Sequence, residues 1–171
     1  MTLALTACGP GGTGREVAVT TPASSSASVS NGDRAWLASI HQSGLADVQY
    51  GKLAERKGAT SAVRQAGTKL AADHTAFDKM VLRVADGLGI ELPKTERAGR
   101  LAEARQLEQE SGSRFDRDFV NAMTGEHRKS VAETEQEIRA GRSPEVTALA
   151  RTALPTLRAH LQMLRRASPV G

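Results

Sequence analysis

The sequence predicts an all-α protein built on four long helices, and three observations predict it. Apolar residues recur at alternating three- and four-residue steps through most of residues 32–168, the spacing of one face of a helix. Apolar residues make up 39% of the chain but aromatics only 3%, so the core must be Ala, Leu and Val, which suits closely packed helices. No strand-like alternation of any length competes. At 171 residues the chain is long enough for one domain with a sizeable core.

Residues 1–31 show neither period and read as a signal and lipobox remnant followed by a flexible Gly/Ser/Thr-rich tether. Leu5-Thr6-Ala7-Cys8 resembles the lipobox of bacterial lipoproteins, in which the cysteine is lipidated and becomes the mature N-terminus. Cys8 is therefore the candidate lipidation site. The expected location is the cell envelope of an exported protein, reached through an N-terminal lipid anchor. Only seven residues precede Cys8, fewer than a basic start and an apolar segment of about 7–15 residues require. Either translation starts further upstream, as the lipobox reading expects, or Cys8 is a chance cysteine in a disordered tail.

The bundle is expected over 32–168, with 169–171 as a tail. Asn31 or Asp33 caps the first long helix, which runs to about Lys57 with Leu37, Ile40, Leu45, Val48 and Leu53 on a broad apolar face. Gly58 ends it and Thr60 caps the second almost at once, so the two form an antiparallel hairpin. The second helix continues to Gly89 on a seam of Val63, Ala66, Leu70, Phe77, Val81, Val84 and Leu88. A shorter helix follows from Thr95 to about Glu110, with Leu101, Ala104 and Leu107 on one side. Ser113 opens the third long helix, with Asp116 completing a short capping box, and Gly141 stops it. Ser143-Pro144-Glu145 then starts the fourth, which runs to about Ala167 with Val146, Ala150, Ala153, Leu157, Leu161 and Leu164 inward. Two antiparallel hairpins joined by a long crossover containing a short helix is the ferritin-like form of a four-helix bundle.

Charge narrows the function. The net charge is +4 and the isoelectric point near 9.6, but basic residues are interleaved with acids along each helix, as on solvated faces. Without a basic-aromatic stripe no nucleic-acid partner is expected. No apolar run reaches the length of a membrane span, and any protein partner is unspecified.

Each long helix carries one histidine: His41, His74, His127 and His160. His74 replaces a seam residue between Leu70 and Phe77, His127 continues the row Val120-Met123, and His160 continues Ala153-Leu157. Those three fall near mid-height, whereas His41 lies higher on its helix and Asp47 nearer the middle. Three inward imidazoles at one level would suit Zn, Cu or Fe. The candidate metal ligands are thus His74, His127 and His160, with Asp47 and Asp73 assisting, and Asp78 and Glu126 as nearby acids. The alternative is four separate bundle histidines, each satisfied by a carboxylate or by water.

Catalytic readings find no residues. A di-iron carboxylate site needs Glu-x-x-His on two helices, but Ala38, Ala71, Thr124 and Leu157 stand three positions before the histidines. There is no P-loop, no dinucleotide fingerprint and no nucleophile elbow. Cys8 lies outside the folded part, away from any histidine. Pro155, inside the last helix, frees the carbonyl of Arg151 one turn before His160, which either bends the helix around the bundle or opens the backbone to water or a ligand.

Several spacings occur together: Asp33 with Trp36-Leu37, Gly51-Lys52-Leu53-Ala54, Val63-Arg64, Asp73-His74, Phe115-Asp116 with Phe119, then His127, Leu154-Pro155 and His160-Leu161. From Asp33 to about Arg166 this set resembles the bacterial family catalogued as domain of unknown function 4142. The resemblance implies an exported protein with a ferritin-like bundle, and implies that the positions of His74, His127 and His160 belong to the family pattern. Asp47 stands where a Glu is expected, Trp36 where a Phe is usual and Phe119 where a Tyr is common. The shorter acid at 47 draws its carboxylate back from the bundle axis. The sequence thus points to a non-catalytic, envelope-anchored bundle with a binding or structural, stress-related role. Its alternative is a metal-binding bundle acting as store, buffer or redox protein.

Overall fold

The computed structural model describes residues 28–168 and holds five helices: α1 (Asn31–Lys57), α2 (Ser61–Gly87), α3 (Ala98–Glu108), α4 (Gly112–Ala140) and α5 (Pro144–Ala167). No strand occurs among the described residues. Cys8, nearly all of the expected tether and the tail at 169–171 lie outside them. The four long helices pair as two hairpins, α1 with α2 and α4 with α5. The hairpins meet with α1 against α4 and α2 against α5, while α3 rests on α1 and α4.

Helix ends show how local chemistry places these elements. Ser30, not Asn31 or Asp33, caps α1: its hydroxyl accepts from the Asp33 N–H at 3.1 Å, and the Asp33 carboxylate accepts from the Ser30 N–H at 2.6 Å. Asp33 is fully buried because the same carboxylate also accepts from the N–H groups of Arg142 and Ser143, 2.9 and 3.3 Å away. It thereby joins the start of α1 to the α4–α5 turn. Thr60 caps α2 and Ser143 caps α5 with Pro144 in its first turn, as their sequences predict.

The expected box at Ser113 and Asp116 does not form. α4 starts one residue earlier, at Gly112 with φ +62°, a left-handed conformation that glycine adopts without penalty. Asp116 instead accepts from the N–H groups of Ala59 and Thr60, at 2.8 and 2.9 Å. A fully buried carboxylate requires donors, and the α1–α2 turn has two amides without helical acceptors.

The buried face of α1 is also rotated from its apolar pattern. Leu45 and Val48 are only half-buried, while Ser43, Gly44, Asp47 and Tyr50 are buried. Small and polar residues carried that face, so hydropathy alone misplaced it. The cause lies partly in the α1–α2 crossing. A Cβ on Gly51 would lie 2.5 Å from the Gly67 carbonyl oxygen, and one on Gly67 would lie 2.5 Å from that of Gly51. The two backbones touch at this point, which only glycine permits.

The core is divided. One apolar cluster includes Tyr50, Leu70, Phe119, Met123 and Leu164. A second includes Ile40, Val81, Val146, Ala153 and Leu157. Each long helix runs from one cluster to the other, and the residues between them are Asp47 on α1, His74 on α2, His127 on α4 and His160 on α5, all buried.

The glycine contact makes a stability prediction. Gly67→Ala gains about 1 kcal/mol of helix propensity, but overpacking against backbone costs about 1–3 kcal/mol and more at the closest contacts. Thermal unfolding should show the midpoint lowered by about 5 °C; an unchanged or raised midpoint would show that the helices separate freely.

Candidate metal centre

Three helices bring three imidazoles to one point. His127 Nε2 lies 3.2 Å from His74 Nε2 and 3.1 Å from His160 Nδ1, and one ring nitrogen from each histidine lies within 4.8 Å of the others. Nitrogens bound about 2.0–2.1 Å from one tetrahedral ion stand about 3.4 Å apart. The rings meet edge-on or tilted, with centroids 5.2–5.3 Å apart, and are not stacked. The arrangement turns nitrogens, not ring faces, toward the common centre.

The outer partners decide which nitrogens carry hydrogen. His127 Nδ1 lies 2.9 Å from the Met123 carbonyl oxygen, one turn back on α4, which can only accept. Nδ1 must therefore donate, leaving a lone pair on Nε2 of the neutral ring. His160 Nε2 lies 2.8 Å from Asp73 Oδ2, so it donates to the carboxylate and leaves its lone pair on Nδ1. Two lone pairs then face each other across 3.1 Å. That contact is repulsive unless a proton or a cation sits between the rings. A ligating histidine held through its other N–H by a carbonyl or carboxylate is the usual outer arrangement of a metal site.

Burial favours the same state. It pushes the pKa of His74 down to about 3 and that of His127 down to about 4. Burial also lowers His160, against the opposing pull of Asp73. At neutral pH all three are free bases, the form that coordinates metal. Asp47 Oδ2 approaches His74 Nε2 at 3.4 Å. Burial pushes its carboxyl up to about 6, opposed by His127 and by Arg100. The shorter side chain at this position therefore still reaches the cluster.

Arg100, on α3, had no signal in the sequence. Its Nη2 donates to Asp47 Oδ1 at 3.2 Å and its Nη1 to Glu103 at 2.7 Å. The guanidinium also sits 4.3 Å from the centroid of Tyr50. Asp47 and Arg100 are separated by 53 positions, so only the folding of the crossover onto α1 joins them.

The other singled-out residues lie elsewhere. His41 has its own partners, Asp78 at 2.6 Å and the Pro93 carbonyl at 3.0 Å. Glu126 accepts from Ser43 at 2.6 Å. Neither Asp78 nor Glu126 attends the three-histidine cluster. Asp73 meets it only through His160, and is also held by Lys69 at 2.7 Å. Pro155 lies within an unbroken α5.

Residues 18–167 match the family described as Domain of unknown function (DUF4142). No curated protein matches the chain. In structure it is similar to a DUF305 fragment from Deinococcus radiodurans, with a TM-score of 0.71 and 15% identity, over 81% of this chain and 95% of that one. At that identity the likeness describes the helical fold alone.

The depressed histidines predict acid sensitivity in the metal-free protein. Below pH 6.5 the unfolded chain takes up protons that folded His74 and His127 refuse, so their contribution to stability is present above that pH and is lost as pH falls toward about 4 and about 3. Asp47 opposes them, its contribution being present below 3.8 and lost as pH rises through about 6. Glu137, whose carboxyl burial pushes up to about 7, opposes them in the same way, so the histidine contribution is read from a comparison of two proteins. Between pH 7 and 4.5 the thermal midpoint should fall further, relative to its value at pH 7, in the wild type than in His74→Gln; parallel curves for the two proteins would contradict the assignment.

Proposed function

The chain belongs to the DUF4142 family, and because that description assigns no activity we propose from its own side chains that it is a transition-metal-binding bundle. His74, His127 and His160 are the ligands, Asp47 is the fourth donor, and Asp73 orients His160. The observation that carries this reading is the pair of facing lone pairs on His127 and His160, with His74 Nε2 3.2 Å from the first of them. Imidazole and carboxylate donors suit Zn, Cu or Fe. The chemistry is that of a store, a buffer or a redox protein. The proposed role is binding and not catalysis.

His41 supplies the internal contrast. A histidine serving the bundle alone finds a carboxylate and a carbonyl, as His41 does with Asp78 and Pro93. The remaining three face one another. A purely structural role would leave their mutual approach without a reason. We extend the proposal to the setting: a ferritin-like four-helix topology with α3 in the crossover, tethered to the envelope through lipidated Cys8. The helix pairing among described residues supports the first part, and the lipobox-like Leu5-Thr6-Ala7-Cys8 supports the second.

Elemental analysis of the full chain, purified without an affinity tag from metal-supplemented cells, tests the centre. Near-stoichiometric metal is expected, and its loss in a His74→Ala/His127→Ala variant that remains helical. Absence of metal from the folded wild-type protein would leave the histidines as bundle structure.

A further inference from the structure

Between α2 and α5, on one flank of the histidine layer, lies a cavity of about 630 Å³. Small-molecule sites typically occupy about 300–1,000 Å³. The chemistry of the walls changes along its length. Leu70 and Leu164 belong to one apolar cluster, Val81 and Ala153 to the other, so α2 and α5 run in opposite directions past the cavity. Lys69 and Arg166, next to the first pair, therefore stand at one end. Ile40, Phe77, Met80 and Leu157 form an apolar wall toward the other. His74 and His160, both more than nine-tenths buried, line the middle with Asp73.

The opening exists because the facing positions are small. Ala76 on α2 and Ala159 on α5 both line it and are exposed. Pro155, also in the wall, has no N–H to offer the Arg151 carbonyl. Charge at the first end is net positive: Lys69 is shared with Asp73 at 2.7 Å, and Arg166 adds a second cation. A recess that is apolar at one end and cationic at the other complements a molecule of the opposite polarity.

We propose that this cavity binds a small amphipathic anion of the medium-chain carboxylate class. The tail lies against Phe77, Met80 and Leu157, and the head lies at the Lys69–Arg166 end. The head and the tail both rest on residues other than the proposed metal ligands, although His74 and His160 line the middle of the cavity.

Calorimetric and NMR titration of the full chain with octanoate and with octan-1-ol tests this, in metal-free and zinc-treated samples. Saturable one-to-one octanoate binding is expected in the metal-free protein. An Ala76→Trp/Ala159→Trp variant fills the opening without touching the buried core and should bind octanoate at least about tenfold more weakly. Arg166→Glu should weaken octanoate by about two- to fivefold and leave octan-1-ol unchanged. Circular dichroism reports folding, and zinc content reports the metal centre separately, so failure of one proposal is distinguishable from failure of the other. Absence of saturable octanoate binding in folded protein would overturn the proposal, as would binding undiminished in the double Trp variant. Equal affinity for octan-1-ol would overturn the anionic class. A dimer that the Trp variant dissociates would make the recess an interface between copies and overturn it too.

Discussion

The whole architecture depends on one constraint: a buried polar layer sits between two apolar clusters. Three imidazoles and a carboxylate occupy the level at which all four long helices come together. Burying such groups is costly unless each finds a partner. The partners come from different distances along the chain. Met123 is one turn from His127 on the same helix, Asp73 reaches His160 across the α2–α5 contact, and Arg100 reaches Asp47 from the crossover. Remove any one, and a buried group loses the contact that sets its orientation or charge.

Precise placement of that layer requires the helices to hold their heights, and the ends of the bundle supply this. Asp33 binds the α4–α5 turn to the start of α1, and Asp116 binds the α1–α2 turn to the start of α4. Each is a fully buried carboxylate that accepts from backbone amides left over at a turn. They lock opposite ends of the two hairpins together by the same chemistry. The Gly51–Gly67 contact then sets how closely α1 and α2 approach, and with it the depth of Asp47 and His74.

α3 links fold and site. Its own apolar content is slight, with Leu107 its one buried residue, and its place on the bundle comes as much from polar contacts. The Tyr50 hydroxyl shares its one hydrogen between Glu103 Oε2 at 2.9 Å and the Arg100 carbonyl oxygen at 3.1 Å. The guanidinium packed on the same Tyr50 ring reaches Asp47. A segment that topology requires only as a connection thus supplies the counter-charge of the buried carboxylate. The likeness to the DUF305 fragment covers most of both chains at 15% identity, so the helical arrangement persists where few side chains are shared.

The sequence by itself determined what depends on near neighbours. Apolar periodicity located the five helices, Thr60 and Ser143 marked two starts, and the rows through Leu70, Met123 and Leu157 put His74, His127 and His160 on inward faces at similar height. These are properties of residues three or four apart, which the helix brings together whatever else the chain does. Tertiary structure alone decided the rest. Asp116 left its own helix end for a turn 56 positions away, His41 went to Asp78, and Arg100 went to Asp47. A buried charge is satisfied by whichever group the packing brings within reach, and that group leaves no trace in the local pattern. The tautomers of the three histidines belong to this second class as well. They follow from a carbonyl and a carboxylate whose positions exist only once α2, α4 and α5 have packed.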